Sequence, residues 1–400
     1  MQFLKEGSIT SVKGIKAAGI FSGIKKAKKD LALIYSEAPC TAAGTFTLNK
    51  VKAAPTVISQ NSIKTGQTIR AILINSGNAN ACTGDPGFSD AYDTRNYCAA
   101  KLGISSEETL LSSTGVIGVK LPVEKIKKGI DKIVPLLSAS GGLKAAEAIL
   151  TTDLKIKSYA VTVKLSTGKV TIGGICKGSG MIMPNMATML GFIATDAKIE
   201  KPVLQQLLSA AVNISFNRIT VDGDTSTNDM VILLANGLSE INITENTKDY
   251  SLFLEALTSI CKEMAKAIVV DGEGATKLIQ LDVKHAKSLS EANLVAKGIA
   301  NSPLVKTAFY GEDANWGRIL SAAGNSGAEF NPAKVSIYFD ELPVFMPDYE
   351  IVLDEVKAKE ILIKDSYTVT IDLQAGDSST TWWTCDLSQN YIKINAMYRS

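Results

Sequence analysis

The feature that most constrains this chain is the irregular order in which short apolar runs and stretches of helical spacing follow one another. LALIYSE (31–37) and RAILINSG (70–77) read as buried strands, and the second runs into a glycine- and asparagine-rich loop, SGNANACTG (76–84). Residues 88–102 and 123–138 carry apolar positions at helical spacing, for example Ile126, Ile130 and Ile133. YAVTVKL and VTIGGIC, separated by STGK, predict a hairpin over 159–176. After residue 190, helices at 201–212 and 251–268 alternate with extended runs at 231–236 and 278–284. VSIYFD, YTVTIDL, TTWWTCDL and YIKINAMY then read as a closing set of strands. This mixed order predicts an α+β layered sandwich rather than a doubly wound parallel sheet. No internal repeat, low-complexity tract or long linker interrupts it.

The composition removes several function classes. Lys and Arg number 42 against 40 Asp and Glu, so no whole-molecule field is available to hold nucleic acid. The densest basic run, Lys25, Lys26, Lys28 and Lys29 closed by Asp30, reads as a solvated turn before a strand. MQFLKEGSITSVKG lacks the apolar core of a signal peptide, and no apolar run is long enough to span a bilayer. Six scattered cysteines without a CxxC pair predict reduced, mostly buried thiols, and with them a cytoplasmic location. The single histidine, His285, stands at the end of a predicted strand and reads as solvent-facing or structurally satisfied, with no GxSxG elbow to accompany it. It leaves no basis for a transition-metal site. KGSGMI lacks the third glycine of a dinucleotide fingerprint, and DGEGATK (271–277) has the wrong order for a phosphate loop. No cofactor is implied. A catalyst built from this chain must find its base elsewhere.

One segment offers a base. CKGSGMIMPNMATMLGFIATDA (176–197) can be read as a glycine-rich turn and a methionine-filled core strand. That reading leaves Pro184, Asn185, Ala187 and Thr188 unexplained, since small and polar residues interrupt the run. In a second reading the Thr188 hydroxyl attacks the open carbonyl of Ala187, and an N-to-O acyl shift gives an ester. Water then frees a new N-terminal threonine. Its α-amine, with an ordinary pKa of about 7.7–8.0, is partly unprotonated near neutrality and can serve as general base for its own hydroxyl. Ala-Thr is a common dipeptide, and spacing alone leaves both readings open.

The segment resembles, nearly residue for residue, the cleavage motif of the ornithine acetyltransferase family, also called bifunctional glutamate N-acetyltransferase. The resemblance runs along the whole chain: DLALIYSEAPCTAAGTFTLN, INSGNANACTG, SSTGVIG and ILTTD before the motif, then FNRITVDGDTSTND, VVDGEGATK, YGEDANWGRI and INAMYRS after it. Thr56 after Ala-Ala-Pro and Met397 depart from the family pattern outside these functional segments.

The resemblance implies acetyl transfer from N-acetylornithine to glutamate in arginine biosynthesis, with acetyl-CoA as a second donor in some members. It implies an αββα sandwich of the N-terminal-nucleophile, self-cleaving kind with a smaller C-terminal α/β lobe, at approximately 1–280 and 281–400. The products of cleavage between Ala187 and Thr188 would be residues 1–187 and 188–400, assembling as an α2β2 heterotetramer. Carried onto this sequence, Thr188 is the nucleophile and Thr114 and Gly115 form the oxyanion hole; read by itself, that Thr-Gly pair is an ordinary turn after a strand. Substrate contacts fall on Thr151, Lys177, Thr188, Glu273, Asn395 and Ser400, with Thr152 an equal choice beside Thr151. Taken singly, Lys177 and Glu273 would read as members of surface ion pairs, and Ser400 as a loose tail. A hydrolase or aminopeptidase of the same self-cleaving fold needs the same nucleophile, amine and oxyanion donors, and stands as the alternative. A scaffold with an intact chain is the third possibility.

Overall fold

A computed structural model describes residues 1–183 and 189–397, in two compact units. The first comprises Met1–Asn217 and Asp224–Ala265, the second Arg218–Gly223 and Lys266–Ser400.

The first unit is organised by one long strand, Leu31–Phe46. Its first part pairs with Ile15–Ile20 and Ile69–Asn78, and residues 41–46 pair with Met230–Ala235. Beyond Met230–Ala235 the sheet continues through Leu190–Thr195, Lys169–Lys177, Lys157–Lys164 and Gln2–Phe3; beyond Ile69–Asn78 it ends at Thr109–Val116. Ala32, Ile34, Ile72 and Ile74 from one end share a buried core with Ile175, Phe192, Ala194 and Ile232 from the other. The shared strand therefore folds the sheet into two facing layers. Alternate residues Leu31, Leu33, Leu73 and Leu111 point the other way, onto Ile58, Cys98, Ile126 and Ile130 of helices Ala54–Lys64, Gly84–Leu102 and Val123–Ile133. On the opposite outer face Gly174 lies against Met264, and Gln205 bonds the backbone of Gly44 at 3.2 Å. Helices Lys248–Val270 and Lys201–Asn213 thus form the second helical layer. The result is the αββα sandwich. Sheets covered on both faces explain why these strands read as continuous apolar runs.

The second unit holds a seven-stranded sheet ordered Ile219–Thr220, Ser378–Cys385, Leu278–Ala286, Ser366–Asp372, Ser336–Phe339, Leu342–Met346 and Glu350–Ile351. Here alternation is clean. Ile279, Leu281 and Val283 face a core with Val295, Ile299, Phe309 and Ile319 of three helices, while Gln280 and Asp282 on the other face bond Trp383 and Thr381.

Two expectations are corrected. YIKINAMY is not a strand: residues Gln389–Ala396 form a helix, of which no residue is buried. Without a core face, nothing rewards the alternating pattern, and Asn395 Nδ2 instead donates back to Tyr391 O across one helical turn at 3.1 Å. The basic run is a solvated turn at Lys26 and Lys28, but Lys25 is half-buried. The cysteines are free, with five buried and Cys82 exposed, and burial pushes the thiols of Cys40 up to about 11 and Cys98 up to about 12. His285 is half exposed and holds the Asp372 carboxylate at 2.9 Å through Nδ1. Among the described residues no helix is long and apolar enough to cross a membrane.

Candidate functional site

Thr114 and Gly115 end the strand Thr109–Val116, which runs parallel to Ile69–Asn78. Gly115 is the register partner of Gly77, and both have positive φ, 130° and 101°. A Cβ on Gly115 would stand 2.4 Å from the Gly77 carbonyl carbon, so two backbones meet where a side chain cannot fit. The asparagine-rich loop braces this turn. Asn78 Nδ2 donates to the carbonyls of Val119 and Lys120 at 3.1 Å, and Asn228 Nδ2 to those of Ala79 and Ser113 at 2.7 and 2.8 Å. Amide side chains supply partners where the ladder stops. Thr114 itself is half-buried, and its hydroxyl has no hydrogen-bond partner among the described residues.

Lys177 ends the strand Lys169–Lys177 and is buried, so it is not part of a surface pair. Its Nζ donates to Thr151 Oγ1 at 2.8 Å and lies 3.8 Å from Asp153 Oδ2. Asp153 is the hub. Oδ1 accepts from Lys157 Nζ at 2.8 Å and from the Gly178 amide at 2.7 Å, and Oδ2 accepts from the Thr151 amide at 2.9 Å. Burial alone would raise this carboxyl, but Lys177 and Lys157, helped by the hydrogen bonds, hold it well below the usual carboxylate range. Thr152 is also half-buried, but it is Thr151 that meets Lys177.

On the strand start Met230–Ala235, the preceding Asp229 is fully buried, and burial drives its carboxyl well above the ordinary range against the opposing pull of Ser226, Lys177 and the Met189 amide. Its Oδ2 has no hydrogen-bond partner among the described residues. A carboxyl whose burial favours its uncharged form thus stands beside Met189. Ala187 and Thr188 lie outside the described residues, as does Ser400.

In the second unit Glu273 is buried and accepts from Asn395 Nδ2 at 2.9 Å. Gly274, at φ 72°, sets this up: a Cβ there would come within 2.5 Å of the Tyr391 nitrogen, and Ser388 Oγ donates to the Gly274 carbonyl at 2.6 Å. The helix start is pressed onto this turn, and Asn395 falls one turn later.

The structure therefore joins Thr151 with Lys177, and Glu273 with Asn395. Sequence reasoning passed over Asp153, Asp229 and the inward turn of Lys25, although the first two stand inside ILTTD and TSTND. The ArgJ family model matches residues 16–400. This chain belongs to the ArgJ family. A relative named arginine biosynthesis bifunctional protein ArgJ, from Caldanaerobacter subterraneus subsp. tengcongensis, is 48% identical over 99% of both chains. The ArgJ protein of Bacillus subtilis is 47% identical over 98% of this chain and 97% of its own. A crystal structure of the Bacillus halodurans ArgJ protein, 46% identical with a TM-score of 0.51, is matched over 100% of its chain by 53% of this one. The ArgJ match spans every segment that supplies Gly115, Thr151, Asp153, Lys177 and Glu273.

Proposed function

We propose that this chain cleaves itself between Ala187 and Thr188 and then moves acetyl from N-acetylornithine to glutamate through an acetyl-Thr188 enzyme. The Thr188 hydroxyl attacks the acetyl carbonyl, passing its proton to its own α-amine. The C–N bond breaks, and ornithine leaves with that proton on its nitrogen. The glutamate amine then attacks the ester, N-acetylglutamate departs, and the threonine hydroxyl is restored. In both half-reactions the Thr114 hydroxyl and the Gly115 amide meet the oxyanion; losing one such donor costs about 2.7–4 kcal/mol of barrier. Lys177, with Thr151 and Thr188, receives a carboxylate, and Glu273, with Asn395 and Ser400, meets an amine. The relatives' name "bifunctional" supports acetyl-CoA as a second donor.

The observation that carries this reading is near-full-length identity to ArgJ proteins together with the buried Thr151–Lys177–Asp153 cradle. The solved Bacillus halodurans chain matches 53% of this one, a share equal in length to residues 188–400, and a piece of that length fits the proposed cleavage. We further propose that residues 1–187 and 188–400 assemble as α2β2 in the cytoplasm. Thr188→Ala should leave a single band near 42.5 kDa on a denaturing gel and no acetyl transfer, where wild type gives two bands. Processing of that variant would reject Thr188 as nucleophile. Free acetate formed without need of glutamate would favour the hydrolase instead.

A further inference from the structure

Lys25 lies where no solvated turn would place a lysine. Asp30 builds the loop around it: the carboxylate accepts from the amides of Ser22, Gly23 and Lys25 at 2.6, 3.1 and 3.0 Å. With its backbone fixed, the side chain makes two unrelated contacts. Its stem covers Gly77, since a Cβ on that glycine would stand 3.0 Å from Lys25 Cγ. Gly77 is the register partner of Gly115. Its head donates to the Lys29 carbonyl at 3.0 Å and to the carbonyl of Leu150, the residue before Thr151. One side chain thus touches the neighbour of the oxyanion turn and the neighbour of the substrate cradle.

We infer that Lys25 is a positioning residue of the acetyl-transfer site, locking the Gly77–Gly115 turn to the Thr151–Lys177 cradle. The inference rests on the function proposed above. The stem acts on the turn by filling the space against Gly77. The head acts on the cradle by fixing the Leu150 carbonyl and so the peptide that presents the Thr151 amide to Asp153. Both acceptors of the head are neutral carbonyls, so a charged donor holds them more firmly than an uncharged one. Burial comes first in lowering the Lys25 pKa to about 8, with Lys177 and Lys28 acting the same way and Asp30 and Asp153 opposing them. The ammonium is accordingly present below pH 8 and lost above it.

The two roles separate by substitution. Lys25→Met keeps the stem and loses the head; it should raise KM for N-acetylornithine about tenfold while kcat stays within about threefold, the loss of a charge-assisted hydrogen bond. Lys25→Ala also opens the space against Gly77 and should lower kcat as well. In wild type KM should rise as pH passes 8, whereas Lys25→Arg, always charged, should keep a flat KM to about pH 9.5. A wild-type KM in Lys25→Met, or the same alkaline rise in Lys25→Arg, overturns the inference. Should Lys25→Met fail to process, the two pH profiles of wild type and Lys25→Arg decide alone, and parallel curves sink it. Wild-type protein that transfers no acetyl from N-acetylornithine defeats the proposed function instead; wild-type transfer with unaltered variants defeats only the role of Lys25.

Discussion

At the scale of single residues, the first unit concentrates its chemistry on one buried carboxylate. Asp153 accepts from Lys157 and from two backbone amides and pairs its charge with Lys177 at 3.8 Å, and an amide side chain could replace only one of its oxygens. Asp153→Asn would turn an N–H toward donors and remove the buried negative charge that faces Lys157 and Lys177. Breaking a buried pair in this way costs about 3–5 kcal/mol, so the variant should melt several degrees lower at pH 7. The sign with pH follows from the direction of the shift. A carboxyl held below its ordinary value stabilises the fold above that value, about 3.9, and the contribution disappears as pH falls through the lower folded-state value. The melting difference between wild type and Asp153→Asn should therefore be full at neutral pH and shrink in strong acid. A difference independent of pH would mean that shape, not charge, makes Asp153 matter. Such residues leave little trace in a sequence. Asp153 stands in a run that resembles the family, yet nothing in ILTTD announces a hub. Lys25 resembles its neighbours Lys26 and Lys28, and what sets it apart are contacts far along the chain, with Gly77 and with Leu150, 125 residues away.

At the scale of elements, the sharpest constraint is the pair of parallel strand ends at Gly77 and Gly115. The φ of 130° at Gly115 is one that side chains avoid, and the atoms a Cβ would strike are backbone atoms of Gly77 and Asn78, which cannot swing aside. Gly115→Ala should displace the amide assigned to the oxyanion and lower kcat by about a hundredfold or more, with the loss falling on kcat rather than on KM. A variant that kept wild-type kcat would remove Gly115 from the catalytic account. The strands themselves were legible in advance wherever burial wrote a pattern. Sheets covered on both faces gave unbroken apolar runs at 31–35 and 231–235, and the half-covered sheet gave the alternation of LIQLDVK. The helix Gln389–Ala396 was illegible for the converse reason. It buries no residue, so no period of 3.6 was imposed on it, and chance alternation of Tyr391, Ile392, Lys393 and Ile394 imitated a strand. The pairings of Thr151 with Lys177 and of Glu273 with Asn395 lie beyond any local pattern, because each joins residues from separate elements.

At the scale of the whole molecule, the proposed cut divides two strands that are neighbours in one sheet. Lys169–Lys177 belongs to the first piece, yet it pairs with Leu190–Thr195 of the second. Met230–Ala235, also in the second piece, pairs on its far side with Leu31–Phe46 of the first. Two strands of the later piece are thus enclosed between strands of the earlier one. Leu190, Phe192, Ile193, Met230, Ile232 and Leu233 are all buried there. Exposing each would forfeit about 1.5–3 kcal/mol, besides two full ladders of backbone hydrogen bonds. No plausible assembly equilibrium at micromolar protein competes with that sum. Cleavage should therefore leave the sheet intact, with a free threonine amine at its surface of scission and no loss of association. Processed wild type and uncut Thr188→Ala should elute at the same position in native size-exclusion chromatography, while only the former divides into two bands after denaturation. Separation of the pieces under native conditions would contradict the enclosed position of Leu190–Thr195 and Met230–Ala235.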